Sequence, residues 1–500
     1  MSVRVRFAPS PTGKLHLGNV RTAIFNYLYA KNRKGEFILR LEDTDAERST
    51  EESVQNLILD LKWLGIEWDE GPEVGGEFGP YRQTQRYDIY LEHLKRLLRE
   101  GKAYPCYCNK ANLDKLREEA RAKGENFIYP ETCRNLTLDQ RFEKEEQGIK
   151  PSFRLKVSPQ TVSFNDLIRG EVSIHTKLFG DFIIVRQDLS PTYNFAVVID
   201  DALMQITDVL RGEDHLSNTP KQIILYEMFE YKQPRFGHFS MILGPDNSKL
   251  SKRHGDVSLN AFREKGFLSE ALFNALTLLG WSDPEEKEIL KKEELIERFS
   301  LERVNKSAAI FDEKKFSFIN KQHIIMLDVN NFAEKVKPYF KKENLIPEDM
   351  DGEIENWFLK LCQLIQKRVT LLTDAVSQAR VVFDFIPSIL DDQIKAVFEE
   401  EDCLRVILAY AIKSEKRDLT SREKYIELVN EIKNELNVKG KNLYHPLRLC
   451  VSSSMSGPDL DQLVPVIEIG SKLNLPVRIE SSSKRAWRLI SYLRDRGYKI

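Results

Sequence analysis

The chain has 500 residues, 41% hydrophobic and 30% charged, with 75 lysines and arginines against 77 aspartates and glutamates. Such a composition excludes a disordered chain, no run approaches the roughly 18 apolar residues of a membrane helix, and any basic footprint for a nucleic acid must be local. Six cysteines make no disulfide framework. The opening Met1-Ser-Val-Arg-Val-Arg-Phe7 lacks the apolar block of a secretion signal, so a reduced cytoplasmic protein of several domains, each of about 100–200 residues, is expected.

Residues 3–7 form an apolar run with interleaved arginines, a strand pattern. The next stretch, Ala8-Pro-Ser-Pro-Thr-Gly-Lys-Leu-His-Leu-Gly18, carries two prolines and two glycines and predicts a turn. Within 19–34, Ala23, Ile24, Tyr27, Leu28 and Ala30 recur at helical spacing; Gly35 stops that helix, and 36–41 reads as a second strand. Strand, glycine-rich turn, helix and strand open a βαβ unit, which predicts a parallel sheet with ligands at the strand C-termini. Helical spacing returns over 51–64 and 91–99, with a turn-rich segment around Gly71–Pro80 between them. Residues 102–150 hold three cysteines and a charged helical stretch, 151–186 alternate as strands, and two short apolar strands are predicted within 194–209. Beyond about 260 the chain reads as helical, with amphipathic runs near 267–280, 292–300, 353–378, 402–413 and 423–436. Residues 484–500 carry six basic residues against one acidic, interleaved with three aromatics, a pattern that suits RNA or a solvated helix face.

Two loops carry the chemistry. Between a strand and a helix, the turn at 10–18 offers unpaired backbone N–H groups to an anion. It is neither a Walker loop nor a dinucleotide fingerprint, because Asn19 and Val20 follow Gly18. The phosphate-directed side chains would be His16 and Asn19. A second loop, Ser248-Lys-Leu-Ser-Lys-Arg-His-Gly255, follows a Gly-Pro-Asp-Asn turn and places Lys249 and Lys252 where they could close over a triphosphate.

These segments resemble the class I aminoacyl-tRNA synthetases in their glutamate/glutamine-specific form. Pro9-Ser-Pro-Thr-Gly13 before His16-Leu-Gly18 is similar to the His-x-Gly-His region, and Lys249-Leu-Ser-Lys-Arg253 to the Lys-Met-Ser-Lys-Ser loop. Leu41-Glu-Asp-Thr-Asp45, Gly79-Pro-Tyr-Arg-Gln83, Pro191-Thr-Tyr-Asn-Phe195 and Leu210-Arg-Gly-Glu-Asp-His215 resemble bacterial glutamyl members and stand in their order. The resemblance is dense over 1–260 and diffuse beyond. It implies an α/β fold: a Rossmann-type parallel-sheet catalytic domain with an inserted α+β subdomain, followed by all-α C-terminal domains. The expected boundaries are 1–103 and 191–260 for the two catalytic halves, 104–190 for an acceptor-stem insertion, 261–325 for a helical stem-contact domain, and 326–500 for an anticodon-binding region split near 400. A glutaminyl relative carries C-terminal β-barrels, against the helical pattern here. A short paralogue that modifies a tRNA base lacks this C-terminal half, and a non-catalytic RNA-binding module need not keep His16, Lys252, Arg6 and Arg211.

The resemblance further implies a cytoplasmic monomer that uses ATP with Mg2+, L-glutamate and tRNA(Glu). Catalysis would fall to His16, Lys249 and Lys252, with Thr12, His16, Gly18, Asn19 and Lys252 on ATP. Arg6, Ala8, Ser10, Glu42, Tyr193 and Arg211 would hold glutamate: arginine forks suit its carboxylate, and Glu42 suits its ammonium. Arg368 would meet the anticodon. Cys106, Cys108 and Cys133 form three parts of a tetrahedral zinc set; some relatives complete it with a histidine where this chain has Asn135, leaving Tyr129 as the fourth ligand, or the thiols reduced and metal-free. Cys362, Cys403 and Cys450 lie in helical runs and read as core. Asp188-Leu-Ser190 replaces a glycine common in relatives at this turn, and Asp256 replaces a small residue.

Overall fold

The computed structural model describes residues 2–13, 15–44, 49–251, 253, 257–388 and 392–499. Lys252 and Asp256 lie outside the described residues. The chain packs as two compact units, residues 1–264 with 269–316, and 265–268 with 317–500.

In the first unit the predicted βαβ opening forms. Strand β1 (Arg4–Phe7) pairs in parallel with β2 (Glu36–Leu39), joined by helix α1 (Leu17–Asn32). Gly35 is the hinge that lets the strands close: a β-carbon there would stand 2.2 Å from the Val3 carbonyl oxygen. Helices α2 (Glu51–Trp63) and α3 (Tyr87–Arg99) follow. Then β3 (Ala103–Cys106), β4 (Ser152–Leu155) and β7 (Ile183–Val185) make an antiparallel sheet, with α4 (Lys110–Ala122) and α5 (Leu138–Glu146) between β3 and β4. The intervening hairpin, β5 (Thr161–Asp166) and β6 (Gly170–His175), joins a different sheet. Its neighbours there are β9 (Arg235–Phe239) and then β8 (Asp208–Gly212), with β5–β9 and β8–β9 parallel. The Thr207 N–H donates to the Arg4 carbonyl at 2.9 Å, tying β1 to the entrance of β8.

The two strands expected within 194–209 are instead one helix, α6 (Tyr193–Leu203), followed by β8. Phe195 through Asp201 are all buried. A helix covered on every side shows no amphipathic period, and its Val-Val-Ile run carries β propensity that tertiary burial overrides. At the departure beside it, Leu189 adopts φ +66°. The turn survives because the Asp188 carboxylate accepts both the N–H and the hydroxyl of Ser190, at 2.9 and 2.6 Å.

The second unit is helical among its described residues. The run read over 353–378 is two helices, Gly352–Ile365 and Asp374–Phe383, separated by the 3-10 turn Gln366–Arg368, and the Asp374 carboxylate accepts the Leu371 N–H at 2.8 Å where the second helix begins. Helices Val329–Lys342, Lys441–Ser452 and Leu460–Gly470 lie in the stretch that reads as helical but outside its amphipathic runs. Each contains a proline, Pro338, Pro446 or Pro465, which reads as a breaker in sequence. Cys362, Cys403 and Cys450 are buried here, as expected of core residues. Replacing Gly35 by Ala should cost about 1–3 kcal/mol, read as a lower urea midpoint at unchanged slope; an unchanged midpoint would show that the backbone yields freely.

Candidate active site

A cleft of about 380 Å³ opens at the C-terminal ends of β1 and β8. Arg6, Ala8, Ser10, Glu42, Tyr193 and Arg211 line it, and so do Thr12, His16, Gly18, Asn19 and Lys249. Residues expected from the resemblance, drawn from five separate stretches, therefore share one hollow; Lys252 lies outside the described residues.

The floor is a buried ion network. The Asp201 carboxylate accepts from Arg6 Nε at 3.0 Å and from Arg40 Nη1 at 2.6 Å. Arg40 Nη2 also donates to Glu42 at 3.2 Å. Behind it, Asp200 accepts from Arg86 at 2.7 Å, from Tyr90 at 2.9 Å and from Gln83 at 2.9 Å. Burial alone would neutralise Asp201, yet Arg40 and Arg6 outweigh it and hold this carboxyl below its usual range. Glu42 is pushed up by burial, which Arg40 and Arg6 only partly oppose.

At one wall, the Arg211 guanidinium donates from Nε to His238 Nε2 at 3.2 Å, from Nη2 to Thr219 Oγ1 at 2.8 Å and from Nη1 to the Tyr193 hydroxyl at 3.3 Å. All three partners are uncharged acceptors, and among the described residues no carboxylate pairs with Arg211. Its charge faces the cleft uncompensated.

At the other end the two loops meet. Leu17 N–H donates to the Val257 carbonyl at 3.3 Å, and Leu259 N–H to the Leu15 carbonyl at 3.2 Å, so the turn bearing His16 is stitched to the chain leaving the Lys249 loop. His16 caps α1, its Nδ1 accepting the Gly18 N–H at 3.2 Å. That bond makes Nδ1 the acceptor, so Nε2 carries the proton and is the donor available to a ligand. Burial first, and Lys249 second, lower the His16 pKa and keep the ring neutral. Leu250, 2% exposed, anchors the second loop while Lys249 is exposed.

Away from the cleft, the Sγ atoms of Cys106, Cys108 and Cys133 lie within 4.8 Å of one another, Cys108 and Cys133 at 3.6 Å. Tetrahedral zinc with Zn–S near 2.3 Å separates its sulfurs by about 3.8 Å, so the set fits. The Tyr129 hydroxyl stands 3.5 Å from Cys106 Sγ and 3.3 Å from Cys108 Sγ, near the remaining corner, whereas Asn135 is exposed. Arg154 donates to Cys106 Sγ at 3.2 Å and stacks 3.7 Å from the Tyr129 ring centre. Hydrogen bonding with Cys133, aided by Tyr129 and Arg154, holds the Cys106 thiol well below its usual range. In the second unit, Arg368 ends a short 3-10 turn, exposed, with Nε 3.4 Å from Gln378 Oε1.

Sequence reading missed Arg40, Asp200, Asp201, His238, Thr219 and Asp166. The doublet Asp200-Asp201 closing an apolar run was the available signal, since adjacent carboxylates there require buried cations.

Residues 2–318 match the family described as "tRNA synthetases class I (E and Q), catalytic domain", and residues 331–470 an "Anticodon binding domain". The chain is 48% identical over 468 residues to a glutamate–tRNA ligase of Sulfurihydrogenibium sp., covering 93% of this chain and 96% of that one. It is 45% identical over 468 residues to one of Natranaerobius thermophilus, covering 93% and 95%. A solved glutamate tRNA ligase from Elizabethkingia meningosepticum, in complex with its amino acid, superimposes with a TM-score of 0.88 at 32% identity, covering 99% of this chain and 100% of that one.

Arg40→Met would leave Glu42 and one side of Asp201 unpaired, and should cost about 3–5 kcal/mol in chemical denaturation; a loss under about 1 kcal/mol would mean that the network is not what holds the cleft floor.

Proposed function

The chain belongs to the class I tRNA synthetases of the glutamate and glutamine branch, and we propose the following division of labour for the reaction it catalyses, the joining of glutamate to tRNA. L-glutamate attacks the α-phosphate of ATP through its α-carboxylate, forming glutamyl-AMP and releasing pyrophosphate, and the acyl group then passes to the 3′-terminal adenosine of tRNA(Glu) as AMP leaves. The glutamate carboxylate is itself the nucleophile, so the protein's task is alignment and stabilisation of charge on the phosphate.

One observation carries this reading: Arg211, with no countercharge among the described residues, lines the same cleft as the His16 and Lys249 loops. Arg211 and Arg6 receive glutamate's side-chain carboxylate, Glu42 its ammonium, and Tyr193, Ser10 and the Ala8 backbone the remaining polar atoms. Glutamine would leave the Arg211 cation unpaired in a buried wall, which penalises it. His16 Nε2–H donates toward the phosphates, assisted by Lys249 and Lys252, while Thr12, Gly18 and Asn19 supply backbone and side-chain contacts to ATP. Mg2+, when bound with ATP, screens the phosphate charges.

The cysteine set with Tyr129 holds a structural zinc in the 104–190 segment that meets the acceptor stem, residues 261–325 contact the stem, and 326–500 read the anticodon with Arg368 among the contacts. The protein acts as a cytoplasmic monomer.

ATP–pyrophosphate exchange is expected with glutamate, assayed with and without tRNA(Glu), and not with glutamine; no exchange even with tRNA present would leave only a binding module. His16→Ala should lower the rate by about a hundredfold. Elemental analysis should find about one zinc per chain, lost in Cys133→Ser; full zinc content in that variant would reject the ligand set.

A further inference from the structure

Behind Arg211 lies a buried relay that the aminoacylation reading does not use. His238 on β9 is the register partner of Arg211 on β8. Its ring is fully buried, with Nδ1 2.6 Å from Asp166 Oδ2 and Nε2 3.2 Å from Arg211 Nε, and 3.1 Å from Thr219 Oγ1. Asp166 ends β5, and its other oxygen accepts the N–H groups of Ile168 at 2.9 Å, Arg169 at 2.8 Å and His238 at 3.2 Å. A carboxylate so surrounded by donors is ionised and can only accept.

The hydrogen-bond roles then follow by elimination. Arg211 Nε–H is always a donor, so His238 Nε2 must accept. A neutral imidazole with an accepting Nε2 carries its proton on Nδ1, and that proton points at Asp166. Asp166 thus sets the tautomer of His238, and His238 sets the orientation of Arg211. With Nε on His238, one Nη2–H on Thr219 and one Nη1–H on Tyr193, each terminal nitrogen keeps one further N–H, the pair a carboxylate accepts in a fork.

We propose that His238 and Asp166 are positioning residues for glutamate recognition, holding Arg211 by an uncharged acceptor so that the guanidinium is fixed without being neutralised. A carboxylate in direct contact would orient Arg211 equally well but would spend its charge. Placing the imidazole between them supplies direction and withholds the countercharge, and that charge is what separates glutamate from its neutral amide. The inference rests on Arg211 as a glutamate ligand.

The test is steady-state exchange kinetics on the full chain. Asp166→Asn is isosteric, but an amide N–H facing Nδ1 forces the proton to Nε2, setting donor against donor at Arg211. His238→Asn keeps a donor toward Asp166 and loses the acceptor, whereas His238→Gln reaches the Nε2 position with its carbonyl and restores it. Expected are a rise of about tenfold or more in KM for glutamate for Asp166→Asn and His238→Asn, an unchanged KM for ATP, and a value close to the parent's for His238→Gln. Imidazole 15N shifts should report protonated Nδ1 at His238 in the parent and protonated Nε2 in Asp166→Asn. Equal impairment of His238→Asn and His238→Gln, a parallel rise in KM for ATP, or the same tautomer in parent and variant would each overturn the proposal. Arg211→Ala separates the two readings: if it raises KM for glutamate while His238→Asn does not, the relay alone fails; if it leaves KM unchanged, the glutamate pocket fails and the relay with it.

Discussion

The cleft depends on charges held below the surface. Asp201, between Arg6 and Arg40, and Asp200, between Arg86, Tyr90 and Gln83, sit on neighbouring residues of one buried helix and bind β1, the chain after β2 and α3 to it. Burying isolated ions would be prohibitive, so each carboxylate is tolerated only because cations and neutral donors saturate it. Once built, such a network has few alternative arrangements, and Arg6 and Glu42 inherit its rigidity. It also divides labour between the two arginines of the pocket. Arg6 is paired with Asp201, while Arg211 meets only neutral acceptors among the described residues.

Backbone connectivity brings His16 and Lys249 to the same cleft. The helix that follows the first strand must be capped, and His16 caps it through Nδ1. Capping therefore determines which ring nitrogen faces the cleft, just as Asp166 determines the tautomer of His238. In both histidines burial favours the neutral ring, and the neutral ring has one donor and one acceptor whose places are assigned by neighbours rather than by the imidazole itself. The stitching of Leu15 and Leu17 to Val257 and Leu259 then sets the Lys249 loop beside the capped turn. The activity proposed for the chain needs little more from its side chains than this: fixed donors around a phosphate, and a fixed cation for a carboxylate.

The cysteine cluster and the C-terminal helix show how one residue type serves unlike ends. Cys106, Cys108 and Cys133 converge with Tyr129 around a volume suited to a tetrahedral ion, whereas Cys362, Cys403 and Cys450 are packing residues. Among the basic residues of the final segment, Arg485 is interior and donates to the carbonyls of Val381, Val451 and Glu480, while Lys484, Arg488 and Arg494 stay exposed. A basic run is thus partly a clamp between helices and only partly a surface.

Local grammar determined the βαβ opening and the positions of the two loops, because turns and caps demand particular residue types at short range, and the family resemblance pointed to Arg6, Glu42, Tyr193 and Arg211 in the cleft. The same grammar misjudged α6, whose largely buried surface gives little period to detect, and it read the second unit as helical without marking its proline-bearing helices. Only the tertiary structure decided which acids meet which arginines, because Asp201 stands 195 residues from Arg6 and 161 from Arg40, and Asp200 stands 114 from Arg86. Pairing of buried charges is a property of three-dimensional proximity under low dielectric, and no spacing rule along the chain encodes it.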